Sequence, residues 1–144
     1  HNLDKMIMEG VIITPLKIIY NSKGDILHGM KKSDKGFNKF GEAYFSTVMH
    51  NEIKGWNRHS KMILNLIVPF GEVTFVIYNQ QLNTYFDITL SLENYQRLTI
   101  FPGLWIGFKG ISSSTNLILN IASIEHDPND LKKLDLDKIP YNWS

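Results

Sequence analysis

No cysteine occurs in this 144-residue chain, which excludes disulfide frameworks, thiolate metal sites and cysteine nucleophiles together. The absence is compatible with a reducing compartment. An excess of one charge is also missing: 15 Lys and Arg against 14 Asp and Glu give a formal charge of +1, no footprint for nucleic acid or an anionic membrane. Any anionic ligand must therefore be held by local charges. No apolar run approaches the ~20 residues that span a bilayer, and the amino terminus His1-Asn2-Leu3-Asp4-Lys5 lacks the shape of a signal peptide. A cytoplasmic protein making no membrane contact is the expectation.

Helical periodicity is scarce as well. It is confined to Asp127 to Leu136, where Asp127-Pro128 resembles a helix start and Leu131, Leu134 and Leu136 form a short apolar stripe. The rest is short β-type runs separated by turn chemistry. The stretch from Met8 to Tyr20 is β-rich and interrupted by Pro15, which fits an edge strand or a bulge. Asn21-Ser22-Lys23-Gly24-Asp25 then makes a turn, and His28 to Lys39 reads as a loop that either closes over another part of the molecule or, the commoner fate, is solvated. Further strands follow over Ala43 to Met49, Thr84 to Leu90, Gln96 to Phe101, Leu104 to Ile111 and Asn116 to Ile124. Short strands at such spacings describe an all-β sandwich or barrel. The length allows one domain, residues 1–144, with a core that needs no staple.

The most informative stretch is Lys54-Gly55-Trp56-Asn57-Arg58-His59, which precedes the apolar run from Met62 to Val68. Pro69-Phe70-Gly71 ends that run too early for a helix, and Val73 to Tyr78 restarts it as a β-branched and aromatic strand. The polar cluster is thereby placed at the mouth of a core strand. Asn57 and His59 are two apart, on one face of an extended chain, where a barrel offers a ligand site.

Gly10-Val11, Lys23-Gly24-Asp25, Lys54-Gly55-Trp56-Asn57, Gly71-Glu72-Val73, Leu90-Ser91 through Leu98, Ile100-Phe101-Pro102-Gly103, Gly107-Phe108 and His126-Asp127-Pro128 follow one another in a familiar order. Over residues 8 to 143 the chain resembles the dTDP-4-dehydrorhamnose 3,5-epimerase family. The resemblance implies a cupin or jelly-roll β-barrel, here with a short C-terminal helical segment, and a homodimer that exchanges amino-terminal strands. It also implies a nucleotide-linked keto-sugar as ligand and a role in making surface carbohydrate such as lipopolysaccharide.

The family inverts carbons beside a ketone, which takes a base to remove the α proton and an acid to return one. Its base is a His in an Arg-Gly-Leu-His-like motif and its acid a Tyr eight residues before the corner Pro; the matching positions here hold Asn57 and Asn120. Neither amide transfers a proton near neutral pH. The His of a later His-Gly-Phe motif is Ile106, a Lys position is Leu64, and the carboxy-terminal Asp that partners the family's His has no evident counterpart.

His59, two residues past the lost base, is the candidate replacement. Lys23, Lys54, Trp56, Asn57, Arg58 and Asn120 are the candidate substrate-binding residues, with Lys54 and Lys23 where the family often carries arginines near the nucleotide-sugar. Asn57-X-His59 with Ile106 leaves the cupin metal set incomplete, so no metal and no other cofactor are expected. His28, His50 and His126 stand singly and read as surface residues. Three readings fit: an epimerase or isomerase with relocated acid and base, a module that binds nucleotide-sugar or carbohydrate or partners another enzyme without catalysis, or a barrel that serves only as a dimer scaffold.

Overall fold

A computed structural model describes residues 5–144; the amino-terminal residues 1–4, read above for signal-peptide character, lie outside them. In chain order the strands are β1 (Lys5–Met8), β2 (Val11–Pro15), β3 (Ile18–Ile19), β4 (Ile26–Leu27), β5 (Glu42–Thr47), β6 (Ile53–His59) and β7 (Leu64–Phe70). They continue as β8 (Val73–Asn79), β9 (Thr84–Leu90), β10 (Gln96–Ile100), β11 (Trp105–Gly110), β12 (Leu117–Ala122) and β13 (Leu131–Lys133). One sheet runs β1-β2-β10-β7-β12-β5, a second β13-β6-β11-β8-β9, and β3 with β4 forms a separate hairpin. This is the all-β jelly roll that the sequence led us to expect.

The core lies between the two sheets. Leu64, Leu66 and Val68 of β7 face Val73, Phe75 and Ile77 of β8, joined by Leu98, Ile100, Leu104 and Ile118. The β7–β8 connection depends on Gly71, at φ +84, because a Cβ there would collide with the Thr115 carbonyl. Strand β7 is buried from Leu64 to Val68 because its outer face is covered too.

The cover comes from the loop His28 to Lys39, in which Lys31, Lys32, Ser33, Lys35 and Lys39 stay exposed while Gly29, Asp34 and Gly36 close over the sheet. Arg97, fully buried on β10, donates to the Gly29 carbonyl at 2.8 Å, the Lys35 carbonyl at 3.1 Å and Asp34 Oδ2 at 3.1 Å. Burying a guanidinium costs several kcal/mol, and bonds to a charged group return roughly 1.5–3 kcal/mol each. Three partners are thus needed to hold it. Asn65 adds a bond from Nδ2 to the Gly36 carbonyl at 3.1 Å.

Two expectations require correction. Strand β2 is flanked by β1 and β10, so Pro15 marks its end, not a sheet edge. The stretch Asp127 to Leu136 is a turn followed by β13, which pairs Leu131 with His59 and Lys133 with Asn57; among the described residues helix is limited to one 3-10 turn, Leu136–Lys138. Three leucines could not outweigh pairing to an open edge of β6.

From Ile139 onward the chain straps the outer face of the second sheet. Ile139, Tyr141 and Trp143 pack on Trp56, Val76 and Trp105, and Trp56 Nε1 donates to the Leu136 carbonyl at 3.2 Å. Gly107 leaves room for the strap, since a Cβ would meet the Trp143 ring at 3.1 Å. Tyr141 donates to Asp87 Oδ2 at 2.8 Å. Burial, then the bond to Asp87 and its charge, push the Tyr141 phenol up to about 12. The folded state thus holds this proton more tightly than the unfolded chain, whose phenol titrates at the ordinary 10.0. The stabilisation is complete below pH 10.0 and lost as pH rises through about 12. Tyr141→Phe is expected to flatten the alkaline fall in melting temperature across that window; an unchanged profile would refute the link.

Candidate functional site

A cavity of about 130 Å³ opens between the sheets beside the core, walled by Tyr44 and Ser46 of β5, Asn120 of β12, and Asn57 and His59 of β6. Its remaining wall is apolar: Leu64, Leu66, Phe75, Ile106, Phe108 and Ile118. The volume suits one sugar ring, with polar groups from opposite sheets facing it.

Strand β6 shows why the polar cluster escapes a period-two reading. One face meets this polar cavity and the other the aromatic strap, so neither carries plain apolar alternation. An irregularity between Ile106 and Phe108 shifts the register: Asn57 lies opposite Ile106, and Lys54 opposite Phe108. Partners in register share a face, which puts Lys54 on the cavity side. Its ammonium donates to the Thr47 carbonyl at 2.7 Å, closing the gap between β6 and β5 at the rim.

His59 has an acidic partner. Its Nδ1 lies 2.8 Å from Asp130 Oδ2, and the Asp130 side chain is 1% exposed. Asp130 Oδ1 accepts hydrogen bonds from Ser60 N at 3.1 Å, from Ser60 Oγ at 3.0 Å and from Lys61 N. Burial alone would raise this carboxyl, but the bonds from His59, Ser60 and Lys61 and the attraction of His59 together hold it below the ordinary aspartate value. An ionised Asp130 only accepts, so Nδ1 carries the imidazole hydrogen and Nε2 is left to accept a proton. The sequence showed no counterpart of the Asp that partners the family's His, and the pairing of Asp130 with His59 was not expected from it. β13 delivers Asp130 by pairing Leu131 with His59, and no local motif announces that contact.

Asn120 is buried and holds a phenol in place. Its Oδ1 accepts the backbone N–H of Asn65 at 3.0 Å, which fixes the amide so that Nδ2 faces and donates to the Tyr44 hydroxyl at 3.0 Å. Tyr44 therefore points its own hydrogen elsewhere. This residue was absent from the sequence-based set. Its signal was Tyr44 and Ser46 at alternate positions of β5, but the register that sets Tyr44 beside Asn120 is a tertiary fact.

Lys54 stands at the rim without lining the cavity, and three further candidates lie away from it. Trp56 is fully buried beneath the strap, on the opposite face of β6. Arg58 shares that outer side and stacks over Trp105, 4.9 Å from the ring centroid. Lys23 sits exposed in the turn between β3 and β4, its N–H donating to Asn21 Oδ1 at 2.8 Å. Of the single histidines, His50 bonds the Ile111 carbonyl at 3.0 Å, and His28 and His126 do not line the cavity. Among the described residues no group of three or more His, Asp or Glu is placed to hold a metal ion.

No protein-family model and no curated protein matches the sequence. Solved structures do. A dTDP sugar isomerase from Desulfovibrio desulfuricans G20 is 31% identical, with a TM-score of 0.88 over 94% of this chain and 91% of that chain. A dTDP-4-dehydrorhamnose 3,5-epimerase from Sulfolobus tokodaii is 17% identical, covering 96% and 84%, with a TM-score of 0.84. A 3,4-ketoisomerase from Thermoanaerobacterium thermosaccharolyticum, in a His-to-Asn variant bound to TDP-4-keto-6-deoxyglucose, is 23% identical over 88% of each chain, with a TM-score of 0.75. The last two matches speak to the fold, whereas the first combines near-complete mutual coverage with sequence identity. The jelly roll and the 31% identity over nearly the whole of both chains place this chain in the family of dTDP-sugar isomerases, whose fold the 3,5-epimerase and the 3,4-ketoisomerase share.

Proposed function

We propose that this protein is an isomerase of a dTDP-type nucleotide-linked keto-sugar, active through relocated proton-transfer groups. His59 removes the proton α to the ketone, Asp130 stabilises the resulting imidazolium, and Tyr44 donates from the opposite sheet to the enolate. The observation that carries this reading is the 2.8 Å contact between His59 and the buried Asp130 at the wall of a sugar-sized cavity. A carboxylate that orients an imidazole and stabilises its charge is a recurrent way of making a general base. The dTDP sugar isomerase that is 31% identical supports both the nucleotide and the reaction class. Asn57 lies within hydrogen-bonding reach of a sugar in the cavity, and Lys54 at the rim supplies a point charge for the phosphates outside it. A place in surface carbohydrate synthesis goes with the same reading.

The test is deuterium wash-in. Candidate dTDP-, GDP- and UDP-linked 4-keto-sugars are incubated with the protein in heavy water and followed by NMR. Exchange at an α carbon of the dTDP sugar is expected; binding without exchange would instead make the protein a non-catalytic module.

A homodimer built partly from residues 8 to 20 belongs to this proposal. Ile19, Tyr20 and Ile26 on the β3–β4 hairpin are 38%, 76% and 56% exposed, an apolar surface suited to a second copy. Light scattering is expected to give twice the 16.6 kDa chain mass, and the monomer mass would refute the dimer.

A further inference from the structure

A second concavity, about 670 Å³, lies at the outer end of the second sheet and shares no lining residue with the catalytic cavity. It is framed by the β1–β2, β8–β9 and β10–β11 turns, and Arg58 reaches it from β6. We propose that it binds a carboxylate-bearing saccharide, with Arg58 as the anion anchor.

The anchor is pre-ordered. The guanidinium lies 4.9 Å from the Trp105 ring centroid, and Trp105 is 4% exposed and donates from Nε1 to Gln80 Oε1 at 3.3 Å. A guanidinium stacked on a fixed indole keeps its N–H edge free for a planar oxyanion, the bidentate geometry that a carboxylate matches. That edge has no hydrogen-bond partner among the described residues. Lys132 adds a neighbouring charge, since Arg58 pairs in register with Lys132 on one side and Trp105 on the other. Among the described residues neither cation has a carboxylate within ion-pair distance.

The rest of the lining selects the ligand. The Gln80 and Gln81 amides offer donors and acceptors suited to hydroxyl groups, while Phe101 and Pro102 give apolar faces for the C–H side of a sugar ring. Glu9 lines the same cavity. Its carboxylate accepts from hydroxyls but repels additional negative charge, so a monoanion is favoured over a phosphate carrying about −1.5 to −2. A uronate combines the single carboxylate with the hydroxyls.

The Trp105 indole N–H resonance is the reporter, in ¹H–¹⁵N spectra of the full chain titrated with glucuronate, glucose or glucose 1-phosphate. A saturable shift is expected with glucuronate, at lower concentration than with either other sugar. Arg58→Gln is expected to abolish it. Gln81→Ala, an exposed turn substitution, is expected to weaken it and serves if the Arg58 variant does not fold. Saturating dTDP is expected to leave the titration unchanged. Any of these results would overturn the proposal: no saturable shift, a response to glucose or glucose 1-phosphate as strong as that to glucuronate, a response undiminished in folded Arg58→Gln or, where that variant does not fold, in Gln81→Ala, or displacement by dTDP.

Discussion

Replacing His59 by Ala is expected to lower α-carbon exchange by about 10²–10⁴-fold, the usual contribution of a general base. The cavity wall retains Tyr44, Asn57 and Asn120, so substrate affinity is expected to change far less than turnover. Asp130→Asn is expected to fall between the variant and wild type, because an amide can no longer stabilise the imidazolium and can hold the ring in the wrong tautomer. Asp130 also binds the Ser60 and Lys61 backbone at the β6–β7 turn, so its loss carries a stability term that His59→Ala does not. The sign of that term follows from the lowered carboxyl. It is fully present above the ordinary aspartate value of 3.8 and lost as pH falls through the lower folded value, so wild type and Asp130→Asn converge in acid unfolding. Exchange that persists in His59→Ala at the wild-type rate would remove His59 from the mechanism.

Double inversion of dTDP-4-keto-6-deoxyglucose at both carbons flanking the ketone is expected to be absent, and Asn57→His alone is expected not to restore it. General acid and base groups contribute ~10²–10⁴-fold each, so both losses together remove on the order of 10⁴–10⁸ if independent. His59 cannot simply substitute in place, because two residues along a strand displace the imidazole by about 6.7 Å, several bond lengths on a sugar ring. It therefore addresses a different carbon in the same pose, and exchange at a single α carbon is expected. Rebuilding the acid as Asn120→Tyr meets a further obstacle. The new ring would occupy the space of Tyr44 and leave the buried Asn65 N–H without its acceptor, a loss of about 1–3 kcal/mol. Product analysis by NMR decides the matter: robust 3,5-epimerisation by the unmodified protein would overturn the assignment of Asn57 and Asn120 to the family's acid and base positions.

The fold class was legible because strand and turn signals are local. Pro69-Phe70-Gly71 closes one strand and opens the next, and Gly71 takes a conformation that its neighbours demand. The shared cavity side of Asn57 and His59 was legible for the same reason, since alternation along an extended chain is a property of consecutive residues.

Contacts between distant segments decided the rest. Trp56 and Arg58 alternate with Asn57 and His59, but alternation does not say which face meets a cavity and which meets a strap arriving from Ile139 to Trp143. Asp130 reached His59 because β13 pairs with an open edge of β6, overriding a leucine pattern that favoured helix. Tyr44 became part of the site through its register with Asn120, 76 residues away. Sequence thus determined most of the strand segments, β13 excepted, and through the resemblance set Asn57 and Asn120 at the family's proton-transfer positions. The groups proposed to act, His59 with Asp130 and Tyr44, are brought together by sheet pairing, whose register is set by the whole core and by no single segment.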